Sequence, residues 1–324
     1  MEIYTQIINE FSNIPHIQSW EEVQTLFRRV ALGKPRHWLL PLRACEAVGG
    51  TLEQAMPALV AVACSHIGIV LVDDMLDADP RGEHLRAGAP AVANMASALQ
   101  SAALAVITKG ELDADAKLMA LESVNEMFLS TTLGQYWDVQ SVSDEEGYWR
   151  IVQTKSSPFF GAALQIGALM GGASEELATQ IKDLGSLYGE MIQIHDDLND
   201  TMEIPANPDW AEGRSPLPIL FARLVDHPLR ARFEELCPNA ANNPKVLKEA
   251  QEILIQCGAV SYCIYELVNR YQRVTEILST LSLARPKELT SLFEEVVMPA
   301  CKLFQAVGET TENLSILEMV AGWE

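Results

Sequence analysis

Residues 51–77, TLEQAMPALVAVACSHIGIVLVDDMLD, limit the folds open to this chain more than any other stretch. Apolar residues recur three and four positions apart and fill nearly every side of the helix they predict. A helix with no polar face belongs at the centre of a body of other helices. The apolar run itself, 58–72, is too short for a comfortable membrane span and suits a buried core helix. Other segments carry the same helical spacing, among them DADAKLMALESVNEMFLSTTLGQYWDVQ and SYCIYELVNRYQRVTEILSTL. Period-two alternation is weak, and there is no Asn-Gly hairpin signal. Gly, Pro and Asn gather in NIPHIQS, LGKPRH, VGGT, ADPRGEHLRAGAP, SVSDEEG, GGAS, EIPANPDWAEGRSP and CPNAANNP, none long enough for an interdomain linker. The chain reads as one all-α domain over residues 1–324.

With 44 acidic and 23 basic residues, the formal charge is −21. That balance argues against a surface for nucleic-acid phosphates, so an anion binds only where metal or basic residues are gathered locally. The first residues, MEIYTQIINEF, lack the basic and apolar regions of a secretory signal. The cysteines at 45, 64, 237, 257, 263 and 301 form no C-x-x-C pair, and the histidines show no zinc spacing. Free thiols suit a reducing compartment, so a cytoplasmic location without a transmembrane segment is expected.

The central helix ends in DDMLD, with Asp73 and Asp77 one turn apart on one face and Asp74 beside them. Carboxylates near a helix C-terminus oppose the macrodipole, so stability alone does not explain them. A single motif of this kind reads as a solvated helix end. It recurs, however, in IQIHDDLND as Asp196, Asp197 and Asp200, again closing an apolar helix. If the two helices are neighbours, six carboxylates face one cavity and need cations. Hard oxygen ligands suit Mg²⁺ holding a phosphate-bearing substrate. Arg86, Lys155 and Arg214 follow these motifs in sequence and suit the anion. Metal and cations around a diphosphate ease its departure as the C–O bond breaks, and apolar helices leave room for a greasy tail. The combination points to an allylic prenyl diphosphate.

At these residues the sequence resembles the trans-isoprenyl diphosphate synthase superfamily, also called polyprenyl synthetases. DDMLD is similar to its first aspartate-rich motif, LRAGAP to R-R-G-x-P, and GQYWD at 134–138 to G-Q-x-x-D. Gly33-Lys34 resembles G-K-x-x-R-P, and His66 stands seven residues before Asp73, where the family often has His or Gln. Tyr148 precedes Lys155 as in the Y…K-T segment, and Gln193 precedes Asp196 as in F-Q-x-x-D-D. DWAEGRSPLP at 209–218 resembles D-L-x-x-G-K-x-T-L-P, with Arg214 in place of Lys. The resemblance implies an all-α isoprenoid synthase bundle with a central cavity, usually a homodimer. It implies three Mg²⁺ ions at Asp73, Asp74, Asp77, Asp196, Asp197 and Asp200. Diphosphate contacts fall to Arg86, Lys155, Gln193, Arg214, Lys34 and His66. Gly68, five residues before Asp73, and Ile69 fall in the chain-length pocket, and the small residue there implies a C15 or C20 substrate.

The departures from the family pattern lie on one side of that site. Of the residues that hold isopentenyl diphosphate, Lys34 and His66 remain, but His37 replaces the first Arg, with Arg36 beside it, and Ala87 replaces the second. The loop TMEIPANPDW lacks the family's Lys, and the tail LEMVAGWE has no basic residue. A charge-assisted contact contributes about 1.5–3 kcal/mol, so losing two or three weakens binding of the second substrate severely. Plainer readings stand beside these. Lys34 and Arg36 suit solvated loop charges, His66 a core histidine, Lys155 a surface lysine, and Trp137, Trp149, Phe159 and Phe160 the core.

Three activities compete. The first is Mg²⁺-dependent ionisation of an allylic diphosphate without elongation, in the manner of a terpene synthase, giving an alcohol, a hydrocarbon or a prenyl adduct. The second is chain elongation with isopentenyl diphosphate. The third is a non-catalytic subunit of a heteromeric synthase. Intact aspartates argue against the third, and the one-sided losses favour the first, with the elongating synthase as the alternative.

Overall fold

A computed structural model describes residues 2–139 and 143–307. Among these, every regular element is a helix, as the patterning predicts. The tail LEMVAGWE lies outside the described residues. The segment expected at the centre forms a helix over Leu52–Leu76. Thr51 caps it: its hydroxyl accepts from the Gln54 N–H at 3.4 Å, while the Thr51 N–H donates to Gln54 Oε1 at 2.9 Å. A cap of this kind stabilises a helix by about 1 kcal/mol. Beyond the first turn the helix is buried on most sides, from Ala55 to Leu71.

The chain packs as two compact units. The first comprises Met1–Val139, Gln153–Gly189 and Thr280–Leu289. In it the Leu52–Leu76 helix lies along the Ala89–Ile107 helix. The Ser157–Met170 helix, SPFFGAALQIGALM, is buried along its length and packs on the Leu40–Ala47, Leu52–Leu76 and Ala114–Asp138 helices. Its small residues permit that closeness. A Cβ on Gly167 would meet the Pro41 carbonyl oxygen at 2.2 Å. Two helices, Leu52–Leu76 and Ala89–Ile107, are long and apolar enough to cross a membrane by composition alone, and 67% and 44% of their most apolar stretches are buried inside the protein. The second of them buries its larger apolar side chains, Val92, Met95, Leu99, Val106 and Ile107, and leaves Ala93, Asn94, Ser97 and Ser101 among its exposed positions.

The second unit comprises Gln140–Val152, Glu190–Ser279 and Thr290–Glu324. Trp210, Ile219, Phe233, Leu236, Leu247 and Leu254 build its core. The Glu175–Met202 helix ends in this unit. Its Thr201 carbonyl accepts from Trp210 Nε1 at 3.4 Å and from Gln251 Nε2 at 3.1 Å, and Gln251 also reaches the Glu203 carbonyl at 3.2 Å. Carbonyls that a helix C-terminus ordinarily leaves to water are here satisfied by side chains.

The Gly167 contact yields a direct test. Gly167→Ala forces the Leu40–Ala47 helix outward, and overpacking of this kind costs about 1–3 kcal/mol. Thermal unfolding of the variant should show a lower Tm with far-UV helicity retained; an unchanged Tm would show that the two helices separate freely.

Candidate functional site

The first aspartate motif sits where the buried Leu52–Leu76 helix reaches the surface, with Asp77 as its C-cap residue. Asp73, Asp74 and Asp77 are all half-buried. Asp73 Oδ1 accepts from Lys155 Nζ at 3.0 Å and from Gln135 Nε2 at 3.3 Å. The same ammonium lies 2.6 Å from Asp138 Oδ2. Burial pulls the Lys155 pKa down, but Asp138 and Asp73 outweigh it and hold the group above its ordinary value. Lys155 reaches this position because Gly134 has no side chain: a Cβ there would stand 2.4 Å from the Lys155 backbone nitrogen. The motif GQYWD thus supplies clearance at Gly134, a donor at Gln135 and an acceptor at Asp138. Asp74 is pushed up by burial and then by the charges of Asp79 and Asp73.

On the same unit, Gly68 is buried and faces the Ala89–Ile107 helix. A Cβ on it would lie 3.5 Å from the Ala96 carbonyl oxygen and 3.7 Å from Leu99 Cβ, ordinary van der Waals contact. Ile69 is half-buried, and its carbonyl accepts from Gln135 Nε2 at 3.3 Å. Arg86 and Ala87 are exposed on the short His84–Ala87 helix. Lys34 is exposed in a left-handed backbone conformation, φ 50°, with its ammonium 2.6 Å from Glu2. His66 Nδ1 accepts from Trp38 Nε1 at 3.2 Å, and its ring lies 6.2 Å from the His37 ring and 5.9 Å from Phe159. Burial, with His37 adding to it, pulls the His66 pKa down to about 4. His66 is therefore a neutral imidazole at physiological pH, able to donate one hydrogen bond from Nε2 but not to present a charge.

The second motif divides its aspartates by environment. Asp196 is exposed, Asp200 half-buried and Asp197 buried. Asp197 Oδ2 accepts from the Tyr148 hydroxyl and the Leu217 N–H, both at 2.7 Å, and its Oδ1 accepts from Gln193 Nε2 at 2.8 Å. Burial nonetheless pushes its pKa up to about 6, against the three donors. The Tyr148 phenol is pushed well up by burial and by Asp197. Asp200 is raised by burial and then by Asp196, Asp209 and Glu203. Arg214 follows the left-handed turn at Gly213, φ 70°, and its Nε stands 3.8 Å from Asp209 Oδ1.

Among the described residues no three His, Cys, Asp or Glu side chains already converge as a metal cage. Mg²⁺ does not require one, since it keeps several waters and takes one or two carboxylates plus substrate phosphates. The residues fit such an ion. In each motif the first and last Asp share a helix face, and Asp74 and Asp200 are raised partly by neighbouring carboxylates, a repulsion that a divalent cation relieves.

A family model described as polyprenyl synthetase matches residues 24–254, a span that contains both aspartate motifs, Lys155 and Arg214. The chain belongs to this family. Its relatives include a geranylgeranyl diphosphate synthase of Methanosarcina mazei, 32% identical over 167 residues, which are 48% of this chain and 51% of that protein. A short chain isoprenyl diphosphate synthase of Methanothermobacter thermautotrophicus is 27% identical over 280 residues, covering 82% of this chain and 86% of that one. Among solved structures, geranylgeranyl pyrophosphate synthetase from Pyrococcus horikoshii superposes with a TM-score of 0.79 at 21% identity, over 90% of this chain and 95% of that one. A polyprenyl synthase from Caulobacter crescentus, solved with calcium and isoprenyl diphosphate, gives 0.74 at 20% identity, over 91% and 93%. These structures share the all-α fold, and family membership makes the chain an enzyme of the prenyltransferase kind.

Sequence reasoning did not assign Asp138 as the second partner of Lys155, nor Tyr148 and the Leu217 N–H as the donors that hold Asp197. The spacing from Gly134 to Asp138 carried the first signal. Nothing in the sequence carried the Leu217 contact, because a backbone N–H leaves no residue type to read.

Asp197 has a measurable consequence. Its folded pKa lies above the ordinary carboxylate value, so the folded state holds the proton more tightly than the unfolded one. The contribution is favourable below the ordinary carboxylate value of 3.8 and is lost as pH rises to about 6. Asp197→Asn removes that dependence. The Tm difference, variant minus unaltered protein, should rise across this window and level above it; a flat difference would show that Asp197 is ionised throughout.

Proposed function

We propose that the protein is a Mg²⁺-dependent, chain-elongating trans-prenyltransferase that joins an allylic prenyl diphosphate of C15 or C20 to isopentenyl diphosphate, within one domain over residues 1–324. The observation that carries this reading is the family match together with the names of its relatives, which are prenyl diphosphate synthases. A product that still bears a diphosphate has gained it from a second substrate, which is elongation. The expectation of ionisation without elongation has no support among those relatives.

Magnesium, when bound, neutralises charge on the departing diphosphate; three ions are the proposed complement. Asp73, Asp74, Asp77, Asp196 and Asp200 would hold it. Asp197, with both oxygens engaged by three donors, orients the second motif. Lys155 is charged and fixed beside Asp73, so it meets the incoming anion already oriented. Arg86, Gln193 and Arg214 complete the allylic contacts, and Lys34 and His66 serve the second substrate.

One observation favours the non-elongating alternative. On the second-substrate side Ala87 carries no charge, His66 is neutral, and Lys34 is engaged with Glu2. Product analysis separates the two readings. With Mg²⁺ and a C10, C15 or C20 diphosphate, elongation gives products one or more C5 units longer, with saturable dependence on isopentenyl diphosphate. Diphosphate release indifferent to isopentenyl diphosphate, with an unchanged carbon count, would establish the alternative. No turnover under any condition would favour a non-catalytic subunit. Asp73→Asn and Asp196→Asn should each lower turnover by orders of magnitude with Tm nearly unchanged, and full activity of either in excess chelator would end the metal-dependent reading.

We also propose a homodimer, in a cytoplasmic setting that suits the free thiols of Cys45, Cys64, Cys237, Cys257 and Cys263. A groove of about 610 Å³ runs between the Ala89–Ile107 and Ala114–Asp138 helices, lined by Leu104, Phe128, Leu129, Leu133 and Tyr136 among others. Leu129 is 68% exposed, Tyr136 63% and Leu133 44%, large apolar side chains set among Ser97, Gln100, Asn125 and Thr132. Exposed apolar groups rimmed by polar ones are of the kind that marks an interface. Leu129→Asp with Leu133→Asp should halve the mass seen by light scattering; a monomeric unaltered protein would refute the dimer.

A further inference from the structure

Arg270 lies beyond the residues matched by the family model and outside every motif considered above. It sits on the Ala259–Thr280 helix with its side chain only 13% exposed. Its Nε donates to Glu190 Oε2 at 2.7 Å and its Nη1 to Glu266 Oε2 at 2.5 Å. The guanidinium carbon stands 3.9 Å from the centre of the Trp149 ring. A buried cation between two carboxylates adds little net stability over apolar packing of the same volume. Its planar fork does fix directions, because it bonds along its edge while its face lies on the indole.

The parts so fixed converge on Asp197. Trp149 adjoins Tyr148, and their rings meet edge to face at 4.9 Å. Trp149 Nε1 donates to Glu145 Oε1 at 3.1 Å, and the same oxygen accepts from the Tyr262 hydroxyl. The start of the Glu145–Lys155 helix is thereby held to the Ala259–Thr280 helix at the level of Tyr148. Glu190, the other partner of Arg270, stands seven residues before Asp197 on the Glu175–Met202 helix. One guanidinium therefore ties together the two helices whose side chains meet where the Tyr148 hydroxyl donates to Asp197.

We propose that Arg270 is a positioning residue for the second aspartate motif: by clamping Trp149 against Glu190 it keeps the Tyr148 hydroxyl on Asp197 and so sets Asp196 and Asp200 for the metal-bound diphosphate. This role rests on the proposed function, in that the second motif holds magnesium. It differs from a plain structural brace in what its loss changes. A brace sets how much protein is folded, whereas a positioning contact sets how much Mg²⁺ the folded protein needs.

Diphosphate release by the full-length chain, measured across Mg²⁺ concentrations with prenyl diphosphate and isopentenyl diphosphate both saturating, tells the two apart. Arg270→Lys keeps the charge but loses the fork and the stack, and Tyr148→Phe loses only the hydroxyl. Each should raise the half-saturating Mg²⁺ concentration about ten-fold or more, the range seen when outer-shell partners of metal ligands are removed. The double variant should shift no further than the larger single one. A lower Tm with an unmoved Mg²⁺ midpoint, or shifts that multiply in the double variant, would overturn the proposal. Should Arg270→Lys fail to fold, Trp149→Leu removes the stacking face and is judged by the same midpoint. Turnover of the unaltered protein in excess chelator would defeat the metal reading of the whole site. A metal-dependent parent with unmoved variants would defeat the positioning role alone.

Discussion

The Lys155 ammonium, set between Asp138 and Asp73, is the contact on which the first half of the site depends. The Leu52–Leu76 helix has to be buried, and its carboxylates emerge at the end where the helix dipole is already negative. A fixed cation makes that arrangement tolerable, and its position follows from Gly134, where any side chain would displace the Lys155 backbone. The apolar helix, the glycine that allows close approach and the charged pair therefore form one device. Removing the glycine would unseat the cation without touching a charged atom.

Much of this was legible in the residues. The helix expected over 51–77 is present over Leu52–Leu76, because Thr51 and Gln54 form a capping box and, past the first turn, only Ser65 and His66 interrupt the apolar faces before the aspartates. Motif spacing located Asp73, Lys155, Gln193 and Asp197, which hydrogen bonds then join into two separate clusters. Periodicity reports which face of a helix is apolar, and it is silent on which neighbour that face meets. The Leu217 N–H on Asp197 and the indole under Arg270 were invisible for that reason. Trp149 was expected in the core, whereas it is half-buried as the platform for a cation.

Charge state was the other unreadable quantity. His66 occupies a position where the resemblance suggests a substrate contact, and letters alone leave its protonation open. Burial beside Trp38 and His37 makes it neutral, so its contribution to a diphosphate is a single N–H. Losses counted from sequence on that side, at His37 and Ala87, thus sit beside a residue that is weaker than its name suggests. On the proposed reading, elongation would rest on fewer full charges than the family pattern supplies, which makes the affinity for isopentenyl diphosphate the quantity by which this protein should differ from its relatives.

Thr201 carries a final consequence. Its carbonyl, one turn past Asp197, is held by the Trp210 indole and the Gln251 amide rather than by water. A helix end left to solvent frays on fast timescales, and carboxylates carried on it would have to be ordered again each time a ligand arrived. Here that ordering entropy is spent once, when the chain folds. The last turn of the Glu175–Met202 helix is thereby tied to Trp210 in the core of its unit. In the proposed activity the second motif would meet its ligand already ordered, and turnover would be spared the search for it.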